Sequence, residues 1–171
     1  YAIAGPPTRP MCISARFPLE TRPHYLVFAL GGIDPVDPLF KCAPPIRDGI
    51  NRRKLWQALN AGDIDMVASD HSPASPDLKQ GTYLTAWGGI ASLDLGPSVM
   101  WTLLRGENPQ RLAKWMSESP SELVGLHDRG AIAVGRRADL AVFDPDAERK
   151  IAPDMLHTRH KISPYIGENL T

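Results

Sequence analysis

The run Ile64-Asp65-Met66-Val67-Ala68-Ser69-Asp70 most constrains what this chain can fold into, because it is short, β-rich and ends on a charged residue. In front of it, residues 51–61 read as a helix, with Leu55, Trp56 and Leu59 on one face and Gly62 as its stop. Behind it, residues 71–92 are a long polar stretch rich in Pro, Gly and Ser. Loops of that length in compact domains are usually functional or disordered. Helical signals resume at Pro97, at Asn108-Pro109 as N-cap and first-turn proline, and at the Ser119-Pro120-Ser121-Glu122 capping box. Helix, strand, long loop and helix in that order make βα units of an α/β fold.

The last third changes character. Residues 131–134, the turn Gly135-Arg136-Arg137 and residues 138–143 predict a β-hairpin with alternating apolar positions, appended beyond a boundary near Arg129-Gly130. A complete (β/α)8 barrel needs ~250 residues. The 171 residues here hold at most its last quarter. At the other end, residues 1–16 lack periodicity and read as irregular chain, and residues 17–21 as a short extended segment leading into Arg22-Pro23-His24-Tyr25. A first residue Tyr1 and a last stretch that stops in mid-pattern suggest a piece of a longer protein.

Charge narrows the function classes. There are 19 basic and 19 acidic residues with no long run of either sign, which gives no footprint for nucleic acid or an anionic membrane. The longest apolar stretch, residues 25–30, is far too short to span a bilayer. Two cysteines, Cys12 and Cys42, make no disulfide framework, so a reducing compartment such as the cytoplasm is expected.

Few residues invite chemistry. Asp70 stands at the C-terminal end of a strand and before a long loop, where barrels place catalytic residues. The alternative is that it caps the following turn. His24 follows another short strand and is either a structural histidine or a site residue. The prolines of Lys41-Cys42-Ala43-Pro44-Pro45-Ile46-Arg47 make a stiff loop that presents its free amides in a fixed direction, or a rigid connector and nothing more. His157 and His160 could be half a metal site, but no further ligand lies near them in sequence.

Taken together, these segments resemble a family. Glu20-Thr21-Arg22-Pro23-His24-Tyr25-Leu26 is similar to the Glu-Thr-Cys-Pro-His-Tyr-Leu segment of the cyclic-amide hydrolases of the amidohydrolase superfamily, with Arg22 in place of the cysteine. Residues 41–47 resemble their Pro-Pro-Leu/Ile-Arg loop, and residues 64–73 their eighth strand with its Ser-Asp-His-Ser-Pro ending. Ala86-Trp87-Gly88-Gly89-Ile90 resembles the loop that follows, and Gly135-Arg136-Arg137-Ala138-Asp139-Leu140 the return into a small β-sandwich domain. Residues 1–18 do not resemble the family. Within it the details are closest to allantoinases. Dihydroorotases usually carry Asn before the Pro-Pro pair and Ala-Pro-His after Asp-His, where this chain has Ala43 and Ser72-Pro73-Ala74.

The resemblance implies the last two βα units of a TIM barrel over residues 19–129 and part of a β-sandwich over residues 130–171. It implies hydrolysis of a cyclic amide, allantoin to allantoate, by a parent enzyme holding two divalent metals, typically zinc. Dihydroorotase, hydantoinase or dihydropyrimidinase activity, or a non-catalytic remnant serving oligomerisation, are the alternatives. Asp70 would ligate one metal, take the proton from the attacking water and return it to the leaving nitrogen. Ala43, Gly88 and Gly89 would offer backbone groups to the ring, and His24 would stand in the site wall. The family's remaining metal ligands include a His-x-His pair, and none occurs in the chain. The chain alone is therefore expected to be inactive, and its parent to be a homo-oligomer.

Overall fold

The computed structural model describes residues 17–105 and 109–171. Its first layer is a βαβ crossover. Strand β1 (Glu20–Thr21) leads into helix α1 (Pro23–Val27), then through a loop into helix α2 (Gly49–Ala61) and back to strand β2 (Met66–Val67). The two strands are parallel, Glu20 opposite Met66 and Thr21 opposite Val67. Parallel neighbours need such a crossover because a tight turn can only reverse the chain. Their C-terminal ends therefore lie on the same side.

Helix α2 shows why sequence and structure agree here. The Asp48 side chain accepts a hydrogen bond from the Asn51 amide at 2.8 Å, which caps the helix start. Gly62 ends it in the left-handed conformation, φ +77°, with its N–H returned to the last turn. The buried stripe Leu55, Ala58 and Leu59 faces inward beside Leu26 of α1. Trp56, on the flank, donates its indole N–H to the Leu26 carbonyl at 3.1 Å and fixes the two helices to each other.

Helix α3 (Gly96–Leu103) starts beside the expected Pro97 and buries Val99, Met100 and Trp101. Asn108 lies outside the described residues, but Pro109 opens α4 (Pro109–Ala113) as expected. The capping box does not form. Ser119 sits in helical conformation at the end of a π-turn, Lys114–Glu118, which joins α4 to α5 (Ser119–Leu123) without a break. No side chain caps α5, because a helix that continues has no orphan amides there.

The predicted hairpin is also absent. Residues 131–143 form no strand and stand largely exposed, with Ile132 92% and Val142 95% accessible. Alternating apolar residues need a surface to cover, and of this segment only Phe143 finds one, its ring 5.1 Å from that of Trp101. The antiparallel pair that does form is β3 (Arg149–Lys150) with β4 (Asn169–Leu170). The terminal segment then folds back on the first layer, on α3 and on the chain leading into it. Ser163 donates to the Ala91 carbonyl at 2.7 Å, the Thr171 amide to the Thr102 hydroxyl at 2.9 Å, and Tyr165 packs 5.0 Å from the Phe28 ring. Among the described residues no helix is long and apolar enough to cross a membrane.

Candidate active site

The site grows from the shared C-terminal edge of β1 and β2. The Ala68 amide still donates to the Thr21 carbonyl at 3.0 Å, so the strands stay in register past their formal ends. Two residues on, Asp70 turns out of the sheet with φ +50°, and no other non-glycine described residue has positive φ. Such a conformation costs free energy and persists only where the surroundings impose it. Here the surroundings are explicit. The Ser92 hydroxyl donates to the Ser69 carbonyl at 2.8 Å. The amides of Ser92 and Leu93 both donate to Nδ1 of His71 at 3.0 Å, and the Ser72 amide donates to the Ile90 carbonyl at 3.0 Å. Nδ1 of His71 is thus an acceptor, which puts the ring proton of the neutral imidazole on Nε2. Asp70 is held between two stitched neighbours, with its own carboxylate 42% exposed.

The loops around it are fastened together. The Gly89 amide donates to the Lys41 carbonyl at 2.8 Å. The Lys41 ammonium donates to the Leu84 and Ala86 carbonyls at 2.9 and 2.7 Å, and that of Lys79 to the Pro38 carbonyl at 3.0 Å. Burial holds the Lys79 ammonium below its ordinary pKa. The Tyr25 hydroxyl donates to the Pro44 carbonyl at 2.6 Å, and burial pushes that phenol well above its usual range. Ala43, Gly88 and Gly89, far apart in sequence, are thereby brought onto adjoining loops. Ala43 is exposed and Gly89 buried. A Cβ on Gly89 would stand 2.5 Å from Ser72 Oγ and 2.6 Å from its carbonyl oxygen, so this glycine lets two backbones touch. Its N–H is already engaged by Lys41.

His24 follows β1 directly, as expected. It lies in the first turn of α1, 1% exposed, its ring 4.3 Å from that of Tyr25 and edge-on to it. Neither ring nitrogen has a hydrogen-bond partner among the described residues. Burial, opposed by the Asp70 carboxylate and assisted by Arg22, lowers its pKa to about 4. His157 and His160 do not assemble a site either; His157 pairs with Asp94 at 3.4 Å, on the surface.

Sequence reasoning missed Arg22. Its guanidinium is buried, with Nη1 2.8 Å from Glu20 Oε1 and Nε 3.3 Å from Asp70 Oδ2. A readable signal was present: residues 20 and 22 of one strand share a face. Among the described residues there is no group of three or more His, Cys, Asp or Glu side chains placed to hold a metal ion. Asp70, the acidic side chain beyond the C-terminal end of β2, faces a guanidinium. It is this guanidinium at Asp70, and not the number of ligands in the chain, that does not fit a divalent cation there.

A carboxylate clamped at the C-terminal edge of parallel strands, under loops from the same edge, is the arrangement of an α/β fold of TIM-barrel type. The sequence profile of the amidohydrolase family matches residues 47–165, and the chain belongs to that family. Its relatives include the allantoinase of Arabidopsis thaliana, 47% identical over 160 residues that make up 90% of this chain and 32% of that protein. The allantoinase of Streptomyces avermitilis is 42% identical over 158 residues, 91% of this chain and 36% of that protein. Among solved structures, L-hydantoinase (dihydropyrimidinase) from Arthrobacter aurescens superposes with a TM-score of 0.82 at 30% identity, covering 90% of this chain and 36% of its own. The chain spans about a third of the length of the curated relatives it matches.

Proposed function

We propose that this chain is the C-terminal third of a cyclic-amide hydrolase that opens allantoin to allantoate. It would comprise the last two βα units of the barrel and part of a β-sandwich. The observation that carries the reading is Asp70 itself: a solvent-facing carboxylate at the strand edge, in a left-handed conformation that its neighbours enforce. Support for the substrate comes from the allantoinase relatives, at 38–47% identity across about nine-tenths of the chain.

The chemistry assigned to this chain is proton handling. As water attacks the amide carbon, its oxygen forms the new C–O bond and Asp70 takes the proton released. When the C–N bond breaks, the electron pair stays on nitrogen, and Asp70 returns the proton there. A carboxylate positioned for general acid–base work of this kind typically contributes ~100- to 10,000-fold. Ala43, Gly88 and Gly89 are the assigned ring-facing positions, where small side chains leave room for a flat heterocycle. His24 backs the site from the interior.

One observation favours a second reading, a non-catalytic remnant: the Arg22 guanidinium 3.3 Å from the Asp70 carboxylate. Turnover separates the two. The complete gene product is assayed against allantoin, dihydroorotate and hydantoin. Allantoin is expected to open fastest. Faster opening of dihydroorotate overturns the substrate, and no turnover of any ring favours the remnant.

A further inference from the structure

Arg22 is an arginine where the interior has little room for charge. The residue before a proline is driven to extended conformation, and Arg22, ahead of Pro23, has φ −122° and ψ 147°. It therefore continues the pleat of β1 by one residue and keeps its side chain on the face of Glu20. There its guanidinium meets Glu20 at 2.8 Å on one side and Asp70 at 3.3 Å on the other. A guanidinium removed from water is costly unless carboxylates pair with it, so the pairing is part of what allows the residue to be buried. The reverse also holds. Asp70, aimed outward by an enforced backbone, already has its counter-charge from the protein.

We infer that Arg22 is the resident counter-ion of Asp70: its guanidinium supplies at this carboxylate the positive charge that a divalent cation would otherwise supply, and excludes such a cation from Asp70. A dication approaching Oδ2 meets a like charge that cannot move away, because Glu20 holds the far side of the same group. Arg22 is a positioning residue, acting on the site through Asp70. The inference concerns cation binding and holds whichever ring the enzyme opens.

Two measurements on the complete gene product decide it, and neither reads turnover. Zinc content is determined by elemental analysis after equilibrium dialysis against zinc chloride, for the wild type and for Asp70→Asn. Equal content is expected; loss of one equivalent of zinc in Asp70→Asn overturns the inference. Melting temperatures are then compared for the wild type, Arg22→Gln, Asp70→Asn and the double variant. The two changes are expected to be non-additive by about 1–3 °C, the shift that a coupling of the usual size for touching groups produces in a protein about three times this chain's length. Additive shifts overturn it. The zinc comparison needs no Arg22 variant, and so stands even where Arg22→Gln fails to fold.

Discussion

Asp70 and His24 face the same charge cluster under opposite conditions. Asp70 keeps a hydrated carboxylate, and replacing it with asparagine preserves the shape and suits a left-handed backbone, which asparagine tolerates. Asp70→Asn in the complete gene product is therefore expected to leave the circular dichroism spectrum intact and to lower kcat for allantoin ~100- to 10,000-fold. If Asp70 only capped a turn, the cost would be about 1 kcal/mol or less of stability, with activity within tenfold of the wild type. His24 is buried, and desolvation depresses its pKa from 6.5 to about 4. The unfolded chain binds the proton first, so stability is fully present above pH 6.5 and is lost as pH falls towards 4. The depression corresponds to about 3 kcal/mol. Urea midpoints for wild type and His24→Leu should diverge in pH dependence across that window, with the variant flatter. Parallel curves would show that His24 does not drive the acid sensitivity.

Elements succeed or fail by their ends. Asp48 and Gly62 are local signals, and helix α2 starts and stops where they stand. The Ser119-Pro120-Ser121-Glu122 signal is equally local and was overridden, because α4 runs through the π-turn into it and leaves no helix start to cap. Glycines show the same division. Gly62→Ala meets nothing within 4 Å and should cost about 1 kcal/mol, for the left-handed backbone alone. Gly89→Ala would drive a methyl into the Ser72 backbone at 2.6 Å. It is expected to lose more than about 2 kcal/mol, since backbone must shift and the joined loops part. Urea melts of the two variants check the contrast; equal losses would mean that the Gly89–Ser72 approach is relieved without strain.

At the scale of the molecule, the first layer is well packed and residues 131–143 are not. Ile132, Val134, Leu140 and Val142 stand exposed on either side of and within a turn at residues 134–136. Exposed apolar side chains gathered in one segment favour association with other chains. The 171-residue chain studied alone should therefore elute with concentration-dependent mass in size-exclusion chromatography with light scattering, and Val134→Lys with Val142→Lys should move it towards the monomer. A monodisperse monomer at all concentrations would show that this segment does not drive association.

What the sequence by itself determined was whatever depends on neighbours along the chain. Gly62 ends helix α2, Pro97 and Pro109 mark helix starts, and the run to Ser69-Asp70 marks the end of a strand, since caps, prolines and periodicity act within a turn or two. The tertiary structure decided the rest. That Arg22 faces Asp70 follows from two parallel strands whose register places residues 48 positions apart at one edge. The Ser92 and His71 clamp, and the tie from Gly89 to Lys41, join segments separated by 21 to 48 positions, which no local pattern specifies. The hairpin predicted over residues 131–143 failed for the same reason: alternation says that a segment can cover an apolar surface, and only the three-dimensional packing decides whether one is there.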